Sequence, residues 1–146
     1  MNFQTDAQKD CYQKVANWLA EYDSVTKPVP QTPIFSLQSG SATALIDISP
    51  FGDQEAAICV WSYVATEVEI SDDLLLFLLK QNDIFRFGGF SMADDGDIRF
   101  HVTLLGSSCQ QNEFKLALTE VLESADRYDD QIVQRWGGRR ATDDLF

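Results

Sequence analysis

The sequence predicts a single α+β domain with the order helix, three strands, helix, two strands, helix. Apolar residues recur at helical spacing in three segments and alternate in five others, and turn residues separate these segments. The chain has 146 residues, the usual length of one domain, and is 45% hydrophobic and 12% aromatic. We therefore expect an antiparallel five-stranded sheet packed with helices over residues 1–138, followed by a mobile tail over residues 139–146.

The first helix is expected to begin after Thr5, because Thr5 and Gln8 have the spacing of a capping box. Its apolar side chains recur at helical spacing as far as Tyr22, which places its end near Asp23 or Ser24. The prolines that follow cannot continue a helix. An extended linker is therefore predicted up to Pro33.

Three strands are predicted next, over Ile34–Gln38, Ala42–Ile48 and Glu55–Ala65. Apolar side chains occupy both faces of the third strand, and one of these faces carries Trp61 and Tyr63. A strand of this kind is typically central in its sheet and covered on both sides.

A second helix, capped by Ser71, is predicted to run to about Asn82, and a third, longer one is predicted over Gln110–Trp136. Between them, the Asp-Gly turn at residues 94–97 predicts a hairpin of two strands, Phe85–Ala93 and Ile98–Leu105. Adjacent glycines at positions 88 and 89 predict a bulge or a close approach of backbone in the first of these strands.

The charge of the chain argues against several classes of partner. The formal net charge is -12, with 23 acidic and 11 basic residues. Because nucleic acids and anionic lipid surfaces repel such a field, we expect neither as a partner. The longest apolar run, Leu74–Leu79, is too short to cross a bilayer.

The cysteines and the start of the chain predict a cytoplasmic protein. The chain has three cysteines, Cys11, Cys59 and Cys109, and no two of them have C-x-x-C spacing. The odd number and the absence of this motif favour reduced thiols. Residues 1–10 are polar and lack the pattern of a signal peptide.

No catalytic or metal-binding constellation is found in the sequence, so we expect no enzyme activity and no cofactor. His101 is the only histidine, and no ligand partners stand near it at metal-site spacing. The cluster Asp94–Asp97 lacks the closing glutamate of a calcium loop. A pairing of His101 with Cys59 or Cys109 stays open, although no spacing favours it.

A family resemblance appears in the second half of the chain. The relevant stretches are Phe85–Met92 (FRFGGFSM), Asp94–Phe100 (DDGDIRF) and Ala125–Asp129 (ADRYD). They are similar to YbjN-type domains, in particular a cyanobacterial branch, and the order of elements resembles that of type III secretion chaperones. The resemblance implies a homodimer that binds an extended peptide or a protein partner without ATP or a metal.

Two sets of residues are candidates for binding. Six consecutive apolar residues at 74–79 encircle the second helix. One stripe, Leu74, Phe77 and Leu78, can pack on the sheet, and Leu75, Leu76 and Leu79 on the opposite side then need cover. Either another helix of the same chain or a dimer interface could supply that cover.

The second set is aromatic and consists of Trp61, Tyr63, Phe90 and Met92, which could share one face and bind a partner. Ordinary core positions are the alternative for these four residues. A different function, a ligand-binding domain or enzyme with a pocket near Trp61, Tyr63 and His101, also stays open, as does a structural subunit of a larger complex.

Overall fold

The computed structural model describes residues 1–22 and 25–141. It confirms the α+β class, with an antiparallel sheet of seven strands instead of five, in the order β1-β2-β3-β4-β6-β5, and with β7 beside the end of β4. The helices are α1 (Asp6–Leu19), α2 (Asp72–Ile84) and α3 (Gln111–Trp136), and the strands are β1 (Val25–Pro28), β2 (Ile34–Ser39), β3 (Ala42–Phe51), β4 (Glu55–Thr66), β5 (Gly89–Met92), β6 (Ile98–Leu105) and β7 (Arg139–Arg140).

The first helix begins as predicted and ends early. The hydroxyl of Thr5 accepts a hydrogen bond from the backbone N–H of Gln8 at 3.1 Å, which satisfies one of the free donors of the first turn. The helix ends at Leu19, whereas its predicted end at residues 23–24 lies outside the described residues. The predicted linker contains β1, whose Pro28 is tolerated because β1 is an edge strand.

All the helices pack on one face of the sheet. Along β4, buried residues such as Ile58 and Val60 alternate with half-buried ones such as Trp61, and only the buried set belongs to the main core. The prediction that this strand is covered on both sides is therefore wrong. Its second apolar face is not covered by a helix of the described chain.

The second helix attaches to the core by one stripe. Leu74 and Leu78 are buried, and the ring of Phe77 lies 5.0 Å from that of Trp136 on α3. This is the stripe expected from the sequence. An ion pair between Arg135 and Asp73 joins the same two helices at 3.1 Å.

Two glycines permit close contacts of backbone. Gly88 has φ +75°, and a Cβ there would lie 2.4 Å from the carbonyl oxygen of His101, so the predicted close approach occurs just before β5. At Gly138, a Cβ would lie 2.4 Å from the carbonyl oxygen of Thr66. These contacts allow β5 and β7 to lie against their neighbours.

The end of the described chain belongs to the fold. Arg139 and Arg140 pair with the last residues of β4, and Ala141 is buried, although a mobile tail was expected from residue 139. The pairing is non-local, and a two-residue strand has no periodicity that the sequence could reveal. The rest of the expected tail, residues 142–146, lies outside the described residues.

Candidate functional site

The uncovered side of the sheet is here called the open face. Cross-strand pairing aligns Ser36, Leu45, Trp61 and His101 in one row across β2, β3, β4 and β6. These four side chains are half-buried. Because strands lie about 4.8 Å apart, the row forms a continuous surface of roughly 15 Å with Leu45 and Trp61 at its centre.

A second row on the open face contains Tyr63, Arg99 and Ser91. Two donors in these rows, Nε1 of Trp61 and Nε of Arg99, are buried atoms without a hydrogen-bond partner in the described chain. A buried donor without a partner is unfavourable by about 1–3 kcal/mol. A partner that moves the neighbouring side chains and brings an acceptor to these two N–H groups would remove that cost.

A cavity of about 460 Å³ opens between the ends of β3 and β4 and is here called the β3–β4 cavity. The regular pairing of β3 with β4 starts at Leu45 and Trp61. Beyond that point, the hydroxyl of Ser62 donates to the carbonyl of Thr43 at 2.8 Å. The lining residues include Val25, Lys27, Leu45, Tyr63, Ala125 and Asp126. The cavity thus adjoins the open face and reaches α3.

The β5 edge of the sheet is closed by a side chain. The amide of Asn82 donates from Nδ2 to the carbonyl of Phe90 at 3.1 Å, and its Oδ1 accepts from the N–H of Phe90 at 2.7 Å. These are the two bonds that an added strand would form at this position. An incoming strand would have to displace Asn82.

The β1 edge is a poor template for another reason. The N–H of Val29 donates to the carbonyl of Ile34 at 2.8 Å, so the backbone of Val29 points toward β2. Because the backbone groups of successive residues point to opposite sides of a strand, those of Pro28 point away from β2. Proline has no N–H to offer to an added strand. Both edges of the described sheet therefore disfavour strand addition, and the open face is the accessible apolar surface of the sheet.

The structure separates the four aromatic and methionine candidates. Trp61 and Tyr63 lie on the open face, whereas Phe90 is 6% exposed in the core and Met92 packs against that core. Phe90 pairs with Phe100, and their rings are 5.5 Å apart. The expectation that all four share a face is wrong, because the register of β5 turns Phe90 toward the helices.

The three leucine candidates are exposed. Leu75, Leu76 and Leu79 have exposed fractions of 44%, 51% and 69%. The alternative of burial by another helix of the same chain is excluded for the described residues. Ile84 and Phe87, at the end of the same helix and just beyond it, are each 70% exposed.

No activated nucleophile appears among the described cysteines. Burial raises the pKa of Cys11 to about 11, and burial also raises the pKa values of Cys59 and Cys109. Burial and the charge of Arg99 lower the pKa of His101. High-pKa thiols are mainly protonated at neutral pH, so the open Cys–His hypothesis gains no support.

The remaining chemical candidates are local structure. In the hairpin turn, Oδ1 of Asp95 accepts from the N–H of Asp97 at 3.0 Å, as in an ordinary Asx turn. Over residues 1–22 and 25–141, no group of three or more His, Cys, Asp or Glu side chains could hold a metal ion. None of the helices in these residues is long and apolar enough to span a membrane.

Sequence reasoning missed Leu45, Lys27, Arg99 and Asn82. Leu45 occupies the more polar phase of its strand, between Thr43 and Asp47. An apolar residue in a polar phase is a weak signal of a binding surface. The other three depend on strand order, and no local pattern could identify them.

The comparisons with known proteins agree with this architecture. The family model described as T3SS (YopN, CesT) and YbjN peptide-binding chaperone 1 matches residues 10–144. A chain in the crystal structure of the ExsC–ExsE complex is similar in fold, with a TM-score of 0.62 and 12% sequence identity, over 88% of this chain and 97% of that one. No curated protein matches in sequence. The chain belongs to the family of type III secretion and YbjN peptide-binding chaperones.

Proposed function

We propose that this domain holds an extended segment of a protein partner on its open face, with side chains of that segment in the β3–β4 cavity, and that it catalyses no reaction. The observation that carries the proposal is the position of Trp61. Its ring lies beside Leu45 at the centre of a row that the helices leave uncovered, and its indole N–H has no hydrogen-bond partner among the described residues. Trp is among the residues that contribute most to binding energy at interfaces.

The closed edges support binding across the face. Asn82 already bonds the backbone at the β5 edge, and Pro28 has no N–H to offer at the β1 edge. A partner that added a strand at either edge would therefore form few backbone hydrogen bonds. Contacts with side chains of the open face and the cavity are left as the main source of affinity. Tyr63 belongs to both and joins them into one surface.

A small ligand in the β3–β4 cavity is the second candidate. The volume of about 460 Å³ lies within the usual range for small-molecule sites. Of the residues first considered for such a pocket, Tyr63 lines the cavity, whereas Trp61 and His101 belong to the neighbouring row of the open face. Native mass spectrometry of the purified domain tests this candidate, since a retained small molecule would add a defined mass.

We also propose that the domain is a cytoplasmic homodimer and that the second copy covers α2. The support for a dimer is the exposed apolar surface of Leu75, Leu76 and Leu79, which no helix of the described chain covers. A two-fold dimer would place the same leucines of both copies together and bury them mutually. The three free cysteines support a reducing compartment.

Peptide selection tests the binding surface. Peptides that bind the domain are selected from a random phage-displayed library, synthesised, and titrated by fluorescence anisotropy against Trp61→Ala. We expect roughly a tenfold or greater loss of affinity. Leu116→Ala is the matched control, since Leu116 is a 70% exposed apolar residue on α3. Unchanged affinity of Trp61→Ala, or a loss for Leu116→Ala as large as the loss for Trp61→Ala, would refute the assignment of the open face.

A further inference from the structure

The open face carries information on the chemistry of its partner, and the inference drawn from it rests on the proposed function. We propose that the bound segment is acidic, that one of its carboxylates binds at Arg99 and Trp61, and that a neighbouring apolar side chain enters the β3–β4 cavity. The partner is thus a peptide that combines Asp or Glu with a large apolar residue at close spacing.

The unpaired donors indicate an acceptor. Nε of Arg99 and Nε1 of Trp61 lie just below the surface without a hydrogen-bond partner among the described residues, so an acceptor reaches them when neighbouring side chains move. Arg99 forms no ion pair with any described residue. The two side chains are diagonal neighbours, because Trp61 pairs with His101 and Arg99 pairs with Tyr63. The guanidinium of Arg99 and the indole N–H of Trp61 are both donors, so a carboxylate that binds between these two side chains would accept from both.

The distribution of charge points the same way. The chain has 23 acidic and 11 basic residues, yet the rows through Trp61 and Tyr63 contain Arg99 and, at the β1 end, Lys27. On the next row, the carboxylate of Asp47 accepts from the hydroxyl of Ser49 at 2.9 Å. Asp126 offsets Lys27 at the cavity that both line, so Arg99, in the row of Tyr63, is the cation that an acidic segment of the partner complements.

The β3–β4 cavity is expected to bind a different side chain of the partner. Lys27 and Asp126 both line the cavity, so their opposite charges balance. The remaining lining is neutral, with apolar residues such as Val25 and Leu45 beside polar ones such as Thr43 and Ser62. A neutral apolar side chain suits this lining better than a charged one does. The cavity therefore selects an apolar residue, and the carboxylate is selected beside it.

The spacing between the two subsites follows from strand geometry. Arg99 pairs with Tyr63, which lines the cavity, so the two subsites are about one strand apart, or roughly 5 Å. An extended peptide advances about 3.3 Å per residue and alternates its side chains. The acidic residue is therefore expected about two positions from the residue that enters the cavity.

Selected peptides test this inference without altering the protein. Peptides enriched from the random library should contain Asp or Glu about two positions from Leu, Ile, Phe or Met. Replacing that Asp by Asn, or Glu by Gln, in a synthetic peptide should reduce affinity by roughly ten- to hundredfold. Enrichment of Lys and Arg, or equal binding of the neutral peptide, would overturn the inference.

Substitution on the protein locates the carboxylate. Arg99→Gln should reduce the affinity for the acidic peptide by a similar factor, so that the neutral and acidic peptides bind with equal affinity. Arg135→Gln, which removes the same charge at the junction of α2 and α3, should leave both affinities unchanged. If Arg99→Gln prefers the acidic peptide over the neutral one as strongly as the unaltered protein does, the assignment is refuted. If Trp61→Ala weakens binding while acidity has no effect, the proposed function stands and this inference fails.

Discussion

The side-chain amide of Asn82 satisfies both outward backbone groups of Phe90, with hydrogen bonds of 3.1 Å and 2.7 Å. A residue of α2 thereby acts as a local substitute for a further strand at the edge of the sheet. Such an edge resists strand-to-strand association, which unprotected edges invite. Because β5 has only four residues, one side chain protects much of its length.

Removing this protection should have two consequences. Asn82→Ala leaves the N–H and carbonyl of Phe90 unpaired at the β5 edge, and we expect a loss of about 1–3 kcal/mol in the free energy of unfolding. We also expect concentration-dependent association through the opened edge, measured by light scattering. Asp83→Ala, at the exposed neighbouring position, is the control. Wild-type stability and solubility of Asn82→Ala would show that the amide does not protect the edge.

The leucines of α2 give a prediction on assembly. Leu79→Glu places a charge in the proposed dimer interface, so sedimentation velocity should show a folded monomer where the unaltered protein is a dimer. Leu116→Glu introduces the same change at an equally exposed leucine on α3 and should leave the dimer intact. A monomeric unaltered protein at high concentration would contradict the dimer.

The two faces of the sheet should differ in the cost of truncation. Phe90→Ala removes a buried ring that contacts Phe85, Phe100 and Tyr128, so urea unfolding should show a loss of about 3–5 kcal/mol. Trp61→Ala removes a half-buried ring and should cost clearly less. Equal losses for the two variants would contradict the one-sided packing.

Asp129 predicts how stability depends on pH. Burial, with the nearby charges of Asp126 and Asp130, raises the pKa of this carboxyl, although the N–H of Asp130 and the charge of Arg140 oppose the shift. Between the unfolded and the raised folded pKa, the folded state binds more protons, so this group favours folding less as pH rises. Asp129→Asn should therefore raise the melting temperature at pH 7.

The melting temperature of Asp129→Asn at low pH is the control for its melting temperature at pH 7. Below the unfolded pKa of about 3.9, Asp129 is protonated in both states, so the advantage of Asn should shrink toward zero. Differential scanning fluorimetry from pH 7 to 3 measures the trend. A destabilised Asn variant at pH 7 would mean that the charged carboxylate is stabilising.

Local signals predicted most of the elements. Thr5 and Ser71 cap their helices as the sequence indicates, and the stripe of Leu74, Phe77 and Leu78 packs inward. These features depend on contacts within a few residues of the chain. The run of six apolar residues likewise revealed a surface that its own helix could not bury.

The features that the sequence did not predict depend on pairing between strands that are distant in the chain. The face that Phe90 occupies depends on the register between β5 and β6, and a shift of one residue would reverse it. The strand at Arg139 depends on contact with the distant end of β4. The donors of Trp61 and Arg99 became a candidate site only when the strand order placed them together. These relations have no local pattern in the sequence.

The most direct test of the central claim is the indole N–H resonance of Trp61. The chain has three tryptophans, and a ¹⁵N-labelled sample gives one indole signal for each of Trp18, Trp61 and Trp136. Because Nε1 of Trp61 lacks a partner, an acceptor from a bound peptide should shift that signal strongly during titration. The signals of Trp18 and Trp136, which pack with the helical core, should change little. A shift at Trp18 or Trp136 with Trp61 unchanged would contradict binding at the open face.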